Sequence, residues 1–440
     1  MNVNSKSMHA TESSRREFLK TSSAMALATG LAISRSAHAA GCDVIRIALV
    51  GCGGRGAGAA ANALTAHANV KLVALADAFR EPLDRSYRAL LESEHKDRID
   101  VPDDRKFVGL DAYQRAIACD VDMVLLCTPP GFRPDQFRAA VDAGKHVFME
   151  KPVAVDAPGV HKILAANEVA KKKGLAVCVG HHLRHETKHT EVIQQIHDGV
   201  LGDLMYMRAY FHTGRIWVRP RTPDQTEMQY QVNNWYHFNW LSGDHIVEQH
   251  VHDLDVCNWM ANDHPIDAQA VGGRQMRDDT DYGEIYDHHA VEYTYPGGIK
   301  LFSYCRQINN CWNSFTEHAH GTKGQVNIDG HGDSVLRVTG QPPLVRKRDK
   351  DGHQVEQDDL FAALLAGRPF NEVDYSATST MTAILGRMAS YSGQLVTWDD
   401  AMNSQLDLSP KRLAWDADPP VLPGPNGEYA TPVPGIAKAY

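Results

Sequence analysis

The 440-residue chain contains no Cys-x-x-Cys pair, no apolar run long enough to cross a bilayer, no internal repeat and no low-complexity tract. With cysteine spacings that form no ligand set, a structural zinc site has no motif to rest on, and no metal is expected. A membrane-spanning helix needs about 20 apolar residues, so the mature protein is expected not to insert in a membrane. Positive charge is not in excess either: 45 Lys and Arg stand against 54 Asp and Glu, which argues against a nucleic-acid surface. The one basic run, Arg346 to Lys350, precedes a turn signal and reads as a solvated hairpin tip. What remains is globular material, 43% hydrophobic and 22% charged, in a chain too long for one small core; two domains are the expectation. Cys127 and Cys178 end or interrupt apolar strand-like runs, so the cysteines read as buried thiols rather than a disulfide framework.

The N-terminus reads as an address. Ser14 to Lys20 (SRREFLK) places Arg15 and Arg16 ahead of a modest apolar run, Met25 to Ile33, which ends in Ala-x-Ala at Ala37 to Ala39. This resembles a twin-arginine export signal over residues 1–39 and predicts a periplasmic or otherwise exported protein. A lipobox-like cut before Cys42 is the alternative, which leaves lipidation of Cys42 open. A protein exported already folded can carry a cofactor acquired in the cytoplasm.

From Val44 onward short apolar runs alternate with helical segments: VIRIALVG, VKLVALAD, VDMVLLC and HVFME, each followed by a helix, and then LAVCVG. Such alternation specifies a parallel sheet with right-handed crossovers. After Gly180 the texture changes to a helix, an aromatic-rich loop and closely spaced strand-like runs separated by turns, the mark of a mostly antiparallel sheet. The expected fold class is α/β: a parallel-sheet domain over 40–180, an α+β domain with a large, mostly antiparallel sheet over 181–400, and a Pro-rich tail over 401–440, extended on the surface.

The first strand runs into GCGGRG, with Gly51, Gly53 and Gly56 spaced as GxGxxG between a strand and a helix. Gly51 permits the tight turn, Gly53 lets a pyrophosphate approach the backbone, and Gly56 lets helix pack on strand, which is the Rossmann fingerprint. Cys52, Gly54 and Arg55 complete the loop around the anion at the helix N-terminus. Asp77 ends the second strand, where a carboxylate accepts from ribose hydroxyls and repels a 2′-phosphate; NAD is expected over NADP, with Arg80 near enough to blur the preference.

Two further stretches carry chemistry. Glu150, Lys151 and Pro152 follow a later strand of the parallel sheet, at the end where ligands bind. In GDHIVEQHVHDLDVCNW, Gly243 to Trp259, Glu248, His252 and Asp255 fall at i, i+4 and i+7 on one stripe of an otherwise apolar helix. Together, the glycine loop, CTPP at Cys127 to Pro130, AGKHVFMEKP at Ala143 to Pro152 and the Glu248/His252/Asp255 helix resemble the Gfo/Idh/MocA oxidoreductases, over essentially all of the chain past the export signal. The resemblance implies that Lys151, Glu248 and His252 form the catalytic group beside a nicotinamide. Thr128, Pro129 and Glu150 would contact the cofactor, and Asp255 would bind or orient substrate. Arg184, with His182 near it, and Tyr236 are further substrate candidates, Tyr236 with Trp235 and Trp240 as stacking surfaces. Glutamate at position 248 replaces the family's usual aspartate, and His250 replaces a common glycine; both reshape the expected pocket. The family also commonly forms homo-oligomers.

The chemistry asks for these residue types. An alcohol is about as weak an acid as water, pKa ~16, so hydride departure must be coupled to loss of the hydroxyl proton. His252 is placed as general base, Lys151 as the group stabilising alkoxide charge, and Glu248 as orienting His252 or binding a neighbouring hydroxyl. Three readings follow. The first is an NAD-dependent oxidoreductase acting on a secondary hydroxyl of a sugar, glycoside or cyclitol with tightly bound NAD. The second is an NAD-dependent glycosidase that oxidises transiently, eliminates and re-reduces. The third is a non-catalytic nucleotide- or sugar-binding relative.

Overall fold

The computed structural model describes residues 44–439 apart from Asp278 and Asp349; the expected export signal and Cys42 lie outside them. Strands buried on both faces read as continuous apolar runs, and the first sheet is built of them except at its edge strand β3. β1 (Ile45–Val50), β2 (Val70–Asp77), β3 (Lys106–Val108), β4 (Met123–Leu126), β5 (His146–Met149) and β6 (Val177–Val179) lie in the order β3-β2-β1-β4-β5-β6. Every neighbouring pair is parallel. The helices between them are α1 (Gly54–Ala66), α2 (Arg80–Leu91), α3 (Ala112–Ala118), α4 (Arg133–Asp142) and α5 (Ala157–Lys172). Strand order reverses between β1 and β4, the switch point at which open α/β sheets bind ligands.

After α6 (Thr187–His197) and β7 (Leu204–Thr213), four helices follow: α7 (Glu227–Asn233), α8 (Asn239–Ser242), α9 (His245–Glu248) and α10 (Val251–Ala261). The chain then builds β8 (Asp267–Gly273), β9 (His288–Thr294), β10 (Lys300–Gln307), β11 (Ser314–Gly321), β12 (Gly324–Asp329), β13 (Ser334–Val338) and β14 (Leu344–Arg346). With β15 (Val396–Thr397), which precedes α13 (Trp398–Met402), these form a nine-stranded sheet ordered β14-β13-β12-β11-β7-β10-β9-β8-β15. It is antiparallel except for the pair β7 and β10. Its inner face, which includes Met207, Ala209, Leu301 and Ala319, is buried beneath α10 and α12 (Val373–Ser392). α12 is buried along nearly its whole length, as a helix that is apolar or small all round must be.

Two sequence expectations change. The stretch Gly243 to Trp259 is not one helix: it breaks at Gln249 and His250 into α9 and α10. The His250 ring turns into the core, where its nitrogens lie 2.6 Å from Ser303 Oγ and 3.2 Å from Asp253 Oδ2, and a fully buried imidazole needs both partners. The basic run is not a hairpin tip. It leaves edge strand β14, where Arg346 pairs with Glu191 at 2.5 Å, and leads into α11 (Gly352–Leu365). α11 packs on α1, so that Leu360 and Phe361 share a core with Leu49, Leu72 and Phe148. Chain that follows the second sheet thus completes the first.

Candidate active site

Gly51 turns the chain at φ +94°, where a Cβ would stand 2.6 Å from the Cys127 carbonyl carbon at the end of β4; at Gly56 a Cβ would come 1.9 Å from Gly51 O. These two positions exclude any side chain. At Gly53 and Gly54 a Cβ would meet nothing within 4 Å: this is the open side of the loop, at the N-terminus of α1, whose free N–H groups and dipole suit a pyrophosphate. A cavity of about 350 Å³ opens there, lined by Gly53, Arg55, Asp77, Thr128 and Pro129 among others. Asp77 accepts from Cys52 N at 2.6 Å and from Phe79 N at 2.9 Å, one on each oxygen. The loop is thereby tied to β2, and each carboxylate oxygen keeps a lone pair for ribose hydroxyls. Burial pushes the Asp77 carboxyl up against the opposing pull of those N–H groups.

Arg133, buried in the first turn of α4, was not singled out by sequence reasoning. Its guanidinium donates to the carbonyls of Pro152 and Thr128 and so fixes the Thr128–Pro129 turn to the Glu150–Lys151 loop. Glu150 reaches the other way, to Arg55 at 3.2 Å. Lys151 Nζ then donates to Glu248 O and to Glu248 Oε1, the latter at 3.1 Å. The Glu248 carboxylate, expected to orient His252 or to bind a neighbouring hydroxyl, is thus in contact with the Lys151 ammonium, and a break in the helix at Gln249 separates α9 from α10, which carries His252. Burial and the neighbouring Lys151 hold His252 well below the usual imidazole range, so it is neutral and able to accept a proton.

Asp255 and Arg184, both expected at the substrate, pair with each other through two bonds of 2.7 and 3.0 Å. Ser379 donates to Asp255 at 2.7 Å, and the Arg184 guanidinium lies 3.8 Å from the Tyr375 ring centroid. Burial alone would raise the Asp255 carboxyl, but Arg184 and His181 hold it below its ordinary value. This is a buried clamp joining α10 to the turn His182–His185. The two side chains expected at the substrate are thus bonded to each other and to Ser379. His182 does reach the site, its ring edge-on to His252 at 4.8 Å.

The aromatic loop divides. Tyr236 is buried, and its hydroxyl accepts from Gln307 Nε2 at 2.8 Å, so it offers no stacking face. Trp240 is buried and donates to Gln231. Trp235 lines the cofactor cavity together with Trp217, Arg219 and Val232 from the second domain. Trp235 was singled out in the sequence as a stacking surface, whereas Trp217, Arg219 and Val232 carried no signal, because they meet β1 and β2 only through long-range folding.

One metal-type spacing is present, His185-Glu186-Thr187-Lys188-His189. It straddles a short turn and the start of α6, so the two histidines do not share a helical face. His185 pairs with Asp359 at 2.7 Å and Glu372 at 3.3 Å, and His189 with Glu186 at 3.2 Å. Among the described residues, Asp244, His245 and His289 also cluster. There the Asp244 carboxylate is taken up by His245, by Tyr286 N and by the Tyr391 hydroxyl, which leaves it as a structural anchor.

Two family models match the chain: the GFO_IDH_MocA oxidoreductase family with an NAD-binding Rossmann fold over residues 45–181, and the GFO/IDH/MocA C-terminal domain over 189–327. Inositol 2-dehydrogenase of Rhizobium meliloti (strain 1021) is 25% identical over 311 residues, 68% of this chain and 82% of that protein. Aldose-aldose oxidoreductase from Caulobacter crescentus, solved with glycerol, superposes with a TM-score of 0.63 at 22% identity, over 80% of this chain and 99% of that one. Levoglucosan dehydrogenase, solved with NADH and levoglucosan, gives 0.64 at 15% identity over 81% and 99%.

Proposed function

The chain belongs to the Gfo/Idh/MocA oxidoreductase family and carries an NAD-binding Rossmann domain, and from that premise we propose that it oxidises a secondary hydroxyl of a sugar, glycoside or cyclitol. The observation that carries the reading is the placement of the Lys151 ammonium, held by Glu248 after strand β5 of the first sheet, beside the neutral His252 imidazole of the second domain. Bound NAD supplies the hydride acceptor. His252 takes the hydroxyl proton, a service typically worth about 10²- to 10⁴-fold in rate. Lys151 hydrogen-bonds the same oxygen and stabilises alkoxide charge as it forms. Glu248 holds Lys151 in place and keeps a second oxygen for a neighbouring hydroxyl.

Two features support a coenzyme that stays bound. Export would remove the protein from cytoplasmic NAD, and Trp217, Arg219, Val232 and Trp235 wall the coenzyme cavity from the second domain. Retained NADH must be reoxidised in place, by a second sugar or by the same molecule after elimination. The exposed face of the nine-stranded sheet, with the Tyr210 and Tyr304 rings stacked at 5.4 Å and Trp312 65% exposed, is the surface on which a homo-oligomer would form.

The test is purification from the periplasmic fraction, identification of the nucleotide released on denaturation, and a screen of myo-inositol, levoglucosan and common aldoses for an NADH absorbance band. Bound NAD and a band with at least one polyol are expected. Protein confined to the cytoplasm removes the export step. A chain that holds no dinucleotide and reduces none ends the reading. A nitrophenyl glycoside cleaved without net NADH would select the glycosidase alternative.

A further inference from the structure

Where the turn His182–His185 leaves β6, three side chains of metal-ligating type converge from separate elements: Cys178 on β6, His185 at the end of the turn, and Glu372 just before α12. Their ligand atoms all lie within 4.8 Å of one another. The cluster is closed to solvent: Cys178 is fully buried, and the side chains of His185 and Glu372 are 9% and 12% exposed. His185 Nε2 lies 3.3 Å from Glu372 Oε1, yet it is buried with no hydrogen-bond partner among the described residues. A buried ring nitrogen in that condition costs free energy. The distance suits another geometry. Around a tetrahedral ion with bonds of about 2.0 to 2.1 Å, a nitrogen and an oxygen ligand stand about 3.3 Å apart. The oxygen then lies off the axis along which the imidazole nitrogen points, so no hydrogen bond forms between them. From at most 4.8 Å, the Cys178 sulfur has only to close to the roughly 3.6 Å that zinc sets between sulfur and its other ligands.

We propose that Cys178, His185 and Glu372 form a zinc site that fixes the turn to β6, α11 and α12. The site stands apart from the oxidoreductase reading and does not depend on it. Thiolate, imidazole and carboxylate together suit zinc among the common divalent cations. The groups behind the ligands are in place as well. A histidine that ligates through one nitrogen gives its other N–H to a carboxylate, and a ligating carboxylate is itself hydrogen-bonded. Here His185 Nδ1 lies 2.7 Å from Asp359 Oδ2 on α11, and Glu372 Oε2 accepts from Val179 N at 2.9 Å. His185 Nε2 and Glu372 Oε1 are left for the ion, and the exposed Asp359 marks the way in from solvent. Charge points the same way. Glu372, Glu356 and Asp359 all act on Cys178 and on His185, and both oxygens of the fully buried Glu356 carboxylate lack a hydrogen-bond partner among the described residues. Buried charges are paired or coordinate metals. One imidazolium does not balance three carboxylates, whereas a divalent cation neutralises the thiolate and the carboxylate that it binds. On binding, the Cys178 thiol gives its proton to solvent, and water takes the fourth position. The three ligands come from elements joined only by the fold, so cysteine spacing alone predicts no metal.

The purified chain, assayed by elemental mass spectrometry before and after dialysis against a chelator, should hold one zinc and lose it. Removal should lower Tm and added zinc chloride should restore it, because a metal that binds only the folded chain stabilises it. Cobalt(II) in place of zinc should give the visible bands of a tetrahedral ion and a thiolate-to-cobalt band in the near ultraviolet. Cys178→Ser should abolish the thiolate band, and Asp359→Asn, at an exposed position, should weaken zinc binding about 10- to 100-fold. Glu372→Gln keeps an acceptor for Val179 N and is the second variant should C178S fail to fold; it should lose zinc at a concentration that saturates the wild type. A chain without zinc whose Tm ignores added zinc chloride overturns the site. So do variants that bind zinc as the wild type does, since the metal would then sit on other side chains and His185 would be an imidazolium between Asp359 and Glu372. None of these readouts uses NADH formation, so failure of the zinc site and failure of the oxidoreductase reading are distinct.

Discussion

Lys151 is held by the backbone and carboxylate of the residue that the family resemblance places beside it in function. Removing the ammonium while keeping the stem, as in Lys151→Met, takes away the donor to the reacting oxygen and leaves the packing. kcat should fall about 10²- to 10³-fold, and His252→Ala should lower it about 10²- to 10⁴-fold, with NAD content unchanged in both, because neither residue lines the coenzyme cavity. Single-turnover NADH formation and nucleotide assay after denaturation separate the two effects; loss of coenzyme together with activity would show that these residues hold NAD rather than act on the substrate. Asp255 shows the limit of reading roles from spacing. It occupies the predicted stripe and is buried beside His181, yet its oxygens are bonded to Arg184 and Ser379. A buried guanidinium must be paired, and nothing in the local sequence says that its partner is the acid 71 residues away.

At the level of elements, what could be read in advance follows the range of the interactions involved. The glycine loop, Asp77, the Thr128–Pro129 turn and the Glu150–Lys151 pair lie at strand ends, where local pattern fixes both position and exposure, and the structure gathers the first three at one cavity, with Glu150 tied to the loop through Arg55. The break between α9 and α10, the return of α11 to the first sheet and the placement of Trp217 and Arg219 depend on contacts distant in sequence, which leave no periodicity to detect. The same helix α10 carries a test of stability. Asp253 and Glu317 on β11 are fully buried beside each other, and burial pushes both carboxyls well above the ordinary range. Unfolded, they would ionise near pH 4; folded, the pair holds its proton to higher pH. A raised folded pKa means stability that is fully present below the unfolded value and is lost as pH rises through the folded one. Glu317→Gln fixes the protonated form, so its Tm should fall less than that of wild type as pH rises above the unfolded carboxyl range of about 4. Parallel Tm profiles for the two proteins would show that the pair is not proton-linked to folding.

For the whole molecule the question is why so long a chain follows the second sheet. Residues 404–439 form no helix or strand, yet they are anchored: Tyr286 donates to Pro432 O at 2.9 Å, Gly435 N to Ser392 O at 2.7 Å, and the Tyr429 hydroxyl to Glu227. Trp415 packs on Phe79 with ring centroids 5.3 Å apart, and Phe79 itself lines the coenzyme cavity. Tyr429 joins Phe238 and Trp240 in a cluster that also takes in Ala78, Leu110, Phe132 and Trp235 around the same opening. The tail and the segment 217–241 therefore brace one another and the rim of the first domain, and dissociation of NAD would require that cluster to loosen. Trp415→Ala removes a large apolar side chain from one side of this brace at a partly exposed position, so the fold should persist while the cavity rim relaxes. The variant should be recovered with less bound NAD and should exchange what remains faster, measured by passing the purified protein through a desalting column and assaying nucleotide per chain over time. Activity should then return on addition of free NAD. Nucleotide content and exchange equal to wild type would mean that the tail stabilises the fold without governing the coenzyme, and that the slow step of release lies in the glycine loop and the Asp77 contacts alone.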